Sequence, residues 1–140
     1  MQTEHPLAGG ILLVEDDRDI RETIAEVLEE EGYLVSVAKT GTDALALLGK
    51  SKGLPAAIVL DLMMPVMDGW EFSSLQQSKE EWASIPVVVI SADSNAKDKA
   101  SAIRSIACLR KPLDIHELLA ILRRLVSEQV DVHSHHENGS

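Results

Sequence analysis

Asp61 stands at the end of the apolar run Ala56-Ala57-Ile58-Val59-Leu60 and is followed by Leu62-Met63-Met64-Pro65-Val66-Met67-Asp68-Gly69. A carboxylate there lies where a buried parallel strand would surface. Ile11-Leu12-Leu13-Val14 runs in the same manner into Glu15-Asp16-Asp17, and Pro86-Val87-Val88-Val89-Ile90 into Ser91-Ala92. Lys111-Pro112 follows a further short apolar stretch. In an open parallel sheet, ligands and chemistry collect beyond the carboxyl ends of the strands. Acids, a hydroxyl and a lysine at four such ends describe one site: a carboxylate nucleophile, a metal, and groups that sense a phosphoryl oxygen.

The chemistry needs these residue types. An aspartate can accept a phosphoryl group as an acyl phosphate. Transfer spreads negative charge over the equatorial oxygens, so catalysis is mostly positioning and charge neutralisation. Magnesium supplies neutralisation and takes oxygen ligands, typically a couple of carboxylates together with waters and substrate oxygens. Asp16 and Asp61 are candidate carboxylate ligands, and Glu15 is placed to hold a metal-bound water. Lys111 adds a mobile positive charge, and the Ser91 hydroxyl can donate to a phosphoryl oxygen. Taken singly, each acid has a plainer reading. An aspartate at a strand end is often a helix N-cap, and Asp17, three residues before Ile20, is expected to be one. Met63-Met64-Pro65 and Asp68-Gly69 alone are loop and turn chemistry, and Glu29-Glu30-Glu31 reads as a solvated helix end. The weight lies in the agreement of separate strand ends, each with a fitting group.

These groups need a frame, and the hydrophobic pattern supplies it. Strands are expected at Ile11–Glu15, Leu34–Ala38, Ala56–Leu60, Val87–Ile90 and Ala107–Arg110. Helices are expected from about Asp17 to Glu31, with Ile20, Ile24, Val27 and Leu28 at helical spacing, and stopped by Gly32. Others follow from Thr40 through Leu48, with Gly49 and Gly53 as punctuation, from Trp70 to Gln77, and from Asn95 to Arg104. The last begins at Pro112 and Asp114 and carries Ile115, Leu118, Leu119, Leu122 and Leu125 on one face. Five strands alternating with five helices read as one α/β domain with a parallel sheet and right-handed crossovers. Residues 1–9 form an N-terminal extension, and 10–126 the domain. From about Ser127 the periodicity stops, so 127–140, with His133, His135 and His136, is expected to be a disordered tail.

The bulk composition narrows the function. The chain of 140 residues has a one-domain length and ordinary hydrophobic content, 45%. Its formal charge of −10 argues against nucleic-acid backbones and anionic membranes as partners. No apolar run approaches the roughly 18 residues of a membrane span, and Met1–Gly10 lacks the pattern of a secretory signal. Cys108 is the single cysteine, so an internal disulfide is excluded and a cytoplasmic location is expected.

The segments ILLVEDDRDIRE, IVLDLMMPVMDGWEF, VVVISA and CLRKPL together resemble the receiver domain of two-component response regulators, over roughly Gly10 to Val126. The resemblance implies a flavodoxin-like, doubly wound five-stranded parallel sheet in the order 2-1-3-4-5; that order and a member of this family are among the standard examples of the switch-point rule. It implies Asp61 as phosphoacceptor, Glu15 and Asp16 as the acidic pair, and the Met63 backbone carbonyl as a further metal ligand. It also implies Ser91 as hydroxyl switch, Lys111 as the site lysine, and a cis bond between Lys111 and Pro112. The implied activity is Mg2+-dependent transfer of a phosphoryl group from a histidine kinase or histidine phosphotransfer protein to Asp61. That transfer would switch contacts with a downstream protein partner in a stand-alone, chemotaxis-regulator-like receiver, as a monomer or weak homodimer. Beyond self-catalysed acceptance and autodephosphorylation, it implies no enzyme.

Two positions depart from the family pattern. Cys108 stands three residues before Lys111, where an aromatic residue is usual. Arg104-Ser105-Ile106 replaces a small Gly-Ala pair before the fifth strand. Both bear on the coupling from Ser91 to the surface; only Cys108 leans toward the alternative, a pseudo-receiver interaction domain with weakened switching, whereas loss of Asp61, Asp16 or Lys111 would have suggested it and all three are present. A phosphatase of the haloacid-dehalogenase type also uses aspartate, magnesium and lysine, but needs a second aspartate two residues after the nucleophile, where this chain has Met63.

Overall fold

The computed structural model describes residues 7–50, 53–62, 69–92 and 105–139. In chain order the elements are β1 (Ile11–Val14), α1 (Arg18–Glu30), β2 (Val35–Ala38), α2 (Gly41–Lys50) and β3 (Ala57–Asp61). There follow α3 (Gly69–Ser78), α4 (Glu80–Ala83), β4 (Val87–Ser91), β5 (Ala107–Arg110) and α5 (Ile115–Gly139). The strands form one parallel sheet in the order β2-β1-β3-β4-β5, the expected flavodoxin-like topology. The helix expected at Asn95–Arg104 and the loop Met63–Asp68 lie outside the described residues.

Every residue of β1, β3 and β4 is buried, which accounts for their unbroken apolar runs: a parallel sheet covered on both faces has no solvent side. Side chains alternate between two cores. Leu12, Val14, Ile58, Leu60, Val87 and Val89 join Ala44, Leu48 and Phe72 on the α2/α3 side. Ile11, Leu13, Ala57, Val59, Val88 and Ile90 join Ile24, Leu28, Leu118 and Leu122 on the α1/α5 side. The outer strands β2 and β5 are only partly buried, and their sequences are correspondingly mixed.

Local signals set the helix ends that matter to the site. Asp17 is extended (φ −73°, ψ 119°), and its carboxylate accepts from Ile20 N at 3.0 Å, the N-cap expected for α1. Gly32 takes φ 98° just past the end of α1, a left-handed conformation that suits glycine. Asp114 Oδ1 accepts from His116 N at 3.0 Å and Glu117 N at 3.3 Å and so starts α5 immediately after Lys111-Pro112, whose peptide bond is cis.

Four features differ from the sequence reading. Helix α2 runs through Gly49 to Lys50, because one glycine near a helix end costs only about 1 kcal/mol. Leu7, placed in the N-terminal extension, is fully buried against the α2/α3 core, and Gly9 N donates to Leu54 O at 2.9 Å. The close approach of this strap leaves no room at Gly53, where a Cβ would meet Ala8 Cβ at 2.5 Å. Helix α5 continues in backbone to Gly139 instead of stopping near Val126. The apolar stripe ends, but no proline or glycine breaks the helix before Gly139. The short helix α4 was not anticipated; Gln76 Nε2 donates to Trp82 O at 2.6 Å and ties it to α3.

Candidate functional site

Strand register builds the site. Val14 pairs with Leu60, so Glu15 and Asp61 emerge side by side. Asp61 pairs with Ile90, which puts Ser91 one residue further on. Ser91 pairs with Arg110, which puts Lys111 one residue beyond that. The groups therefore rise in a staircase across one end of the sheet. Backbone bonds beyond the strands hold the steps: Glu15 N to Ala38 O at 3.0 Å, Leu62 N to Ile90 O at 3.2 Å and Lys111 N to Ser91 O at 2.9 Å.

The side chains converge. Carboxylate oxygens of Glu15, Asp16 and Asp61 lie within 4.8 Å of one another. Glu15, Asp61 and Ser91 are buried, whereas Asp16 faces solvent and leaves the cluster open on one side. Lys111 Nζ lies 3.0 Å from Glu15 Oε1 and 3.4 Å from Asp61 Oδ2. Burial pulls the Lys111 ammonium down, but hydrogen bonding to Glu15 and the charge of Asp61 outweigh this and hold it above its ordinary value. Glu15 Oε2 accepts from Asp17 N at 3.1 Å, so its two oxygens face in different directions.

Such a cluster fits a hard divalent cation. The donors are all carboxylate oxygens, they are close enough to share one ion, and Asp16 opens to water, as magnesium's retained hydration requires. The Met63 carbonyl lies outside the described residues. Sequence reasoning assembled Asp61, Glu15, Asp16, Ser91 and Lys111 at one sheet end, and the structure brings them to that end. It did not anticipate that Glu15 pairs directly with Lys111. It also overlooked Arg21, whose guanidinium is buried beneath the acidic loop. The signal was present: Arg21, Ile24 and Leu28 share one face of α1, so a charge sits on a stripe that points inward.

Sheet order, register and the acid–lysine cluster define a receiver-type α/β module. Residues 11–123 match the response regulator receiver domain family, and the chain belongs to that family, the receiver module of two-component systems. Response regulator MprA of Mycobacterium sp. (strain KMS) is 36% identical over 118 residues, 83% of this chain and 50% of that protein. A 14.6 kDa protein of Leptolyngbya boryana, from the sodA1 3' region, is 34% identical over 116 residues, 81% of this chain and 87% of that one. The chain thus spans about half the length of the MprA relatives it matches. Among solved structures, the Francisella response regulator 1452 receiver domain superposes with a TM-score of 0.76 at 28% identity, covering 86% of this chain and 98% of that one. Chemotaxis response regulator CheY4 of Vibrio cholerae superposes with a TM-score of 0.75 at 28% identity, over 84% and 98%. Among the described residues no helix is long and apolar enough to cross a membrane.

Proposed function

We propose that the chain is a phosphoacceptor: a carboxylate oxygen of Asp61 takes a phosphoryl group from phosphohistidine on a histidine kinase or phosphotransfer protein. The new bond is Asp61 O–P, and the bond broken is N–P of the donor imidazole, which leaves with a proton. Glu15, Asp16 and Asp61, with the Met63 carbonyl, would hold Mg2+, which supplies neutralisation of the charge on the transferring group. Lys111 is already in reach of Asp61 and follows the added negative charge. Ser91, one register step away, donates its hydroxyl to a phosphoryl oxygen. The phosphorylated site then biases a two-state surface read by a downstream protein. With Met63 where a second catalytic acid would be needed, the chain turns over nothing beyond its own acyl phosphate. Its place is the cytoplasm, as a monomer or weak homodimer.

The observation that carries this reading is the packing of three carboxylates within 4.8 Å, with Lys111 Nζ at 3.0 and 3.4 Å from two of them. The test is intact mass after incubation with acetyl phosphate and Mg2+. One phosphoryl group should be gained by the native chain and none by Asp61→Asn or in excess chelator. Labelling of the Asn variant, or full labelling without metal, overturns the assignment. A native chain that stays unlabelled would instead favour the pseudo-receiver alternative.

A further inference from the structure

We infer that Arg21 is a positioning residue for the metal site: it fixes the backbone of the acidic loop so that Glu15 and Asp16 present their carboxylates toward Asp61. The inference rests on the proposed divalent-cation site. Arg21 is 8% exposed. Its Nη1 donates to Glu15 O at 3.1 Å and to Asp16 O at 3.3 Å. Those carbonyls belong to the Glu15–Asp16 and Asp16–Asp17 peptide planes. Orienting two successive planes sets the direction of the Cα–Cβ bond between them and restrains the neighbouring ones. A carbonyl shut away from water needs a donor; the bond to Glu15 O is buried and that to Asp16 O partly so, and one side chain serves both.

The remaining bonds of the loop point to the same division of labour. Glu15 N is held by Ala38 O at 3.0 Å, at the β2 side. Asp17 N is held by Glu15 Oε2, and Asp17 O accepts from Arg21 N at 2.9 Å as the first bond of α1. The helix thus reaches back to the loop twice through one residue, by its amide and by its guanidinium. Without the guanidinium, the carbonyls of both acids lose the donor that faces them. The planar, multi-donor guanidinium suits the task better than a flexible ammonium. Partners that orient first ligands from behind typically contribute tenfold or more to metal affinity.

Magnesium affinity of the native chain, Arg21→Met, Arg21→Lys and Leu28→Ala, measured by calorimetry, tests the inference. Leu28→Ala perturbs the same buried stripe without touching the loop. Arg21→Met should weaken Mg2+ binding about tenfold, Arg21→Lys by a smaller factor of at least about twofold, and Leu28→Ala not at all. At saturating Mg2+ the labelling rate of Arg21→Met should return close to native, because the effect lies in presenting the ligands and not in Asp61 chemistry. Native affinity in a folded Arg21→Met, or an equal loss in Leu28→Ala, overturns the role. If the Met variant does not fold, Arg21→Lys decides alone: weaker binding than Leu28→Ala supports the role, and native affinity overturns it. Failure of the native chain to bind Mg2+ overturns the proposed site itself and is read before any variant.

Discussion

Replacing Lys111 by Met removes an ammonium that pairs with both Glu15 and Asp61, and the geometry sets the size of the effect. At 3.0 and 3.4 Å, each pair is worth roughly 5 kcal/mol of Coulomb attraction at an effective dielectric near 20. Desolvation of the groups offsets much of that. Breaking a buried pair by removing one partner costs about 3–5 kcal/mol. The Lys111 side chain keeps 17% exposure, so screening trims the expected loss to about 2–3 kcal/mol. For a chain of this size that is roughly 6–12 °C in Tm. The carboxylates left behind repel one another, so the loss should shrink in Mg2+. Lys111 itself adds a pH dependence. Its folded value lies above 10.5, so its contribution is complete below 10.5 and is lost as pH rises through the raised value. Circular-dichroism melts of native and Lys111→Met chains at pH 8, in chelator and in Mg2+, check the size of the loss and its dependence on metal. An unchanged Tm in chelator, or a deficit of equal size in both conditions, would refute the reasoning.

Asp16→Asn takes one charge from the crowded carboxylates; without metal it should raise Tm by about 1–3 °C and weaken Mg2+ binding at least tenfold. A lower Tm, or native metal affinity, would count against a shared site. Truncation after Ser127 removes no residue of the stripe Ile115, Leu118, Leu119, Leu122 and Leu125, so Tm should move by less than about 2 °C and labelling should not change; a larger fall would show that residues 128–139 dock. Cys108 is half-buried against the α2/α3 core, and a thiol there fits as a small hydrophobe. Phosphorylation should therefore alter amide exchange over Asn95–Leu125 less in the native chain than in Cys108→Tyr, using beryllofluoride as the mimic. A large native response to which tyrosine adds nothing would sink that argument.

The fold was legible wherever burial was total. Strands β1, β3 and β4 are covered on both faces, so their sequences are apolar up to their last residues, and the polar residues that end them mark the sheet end where the acid–lysine cluster sits. Position along neighbouring strands was not legible, because a continuous apolar run carries no internal marker of register. The proximity of Glu15 to Lys111 follows from register across four strands, and no local pattern encodes it. Arg21 escaped for a related reason: its partners are backbone carbonyls, which every residue possesses, so no partner side chain advertises the contact. Leu7 looked like extension because a single apolar residue has no period, yet its burial is complete. The end of α5 was misplaced because periodicity reports packing, whereas a helix can run on by propensity after its packing partner ends.

The ion pairs of Lys111 also bear on valence. Among the described residues, three carboxylates face one ammonium, a formal excess of two negative charges that the Arg21 guanidinium behind the loop lowers in part. At the proposed site a divalent cation would meet that excess more fully than a monovalent one. Selection by charge would then depend in part on a lysine outside the metal's ligands. In Lys111→Met the excess grows by one, and preference should drift toward trivalent ions. Competition of terbium with magnesium in the two chains would read that drift directly; an identical competition ratio would rule it out.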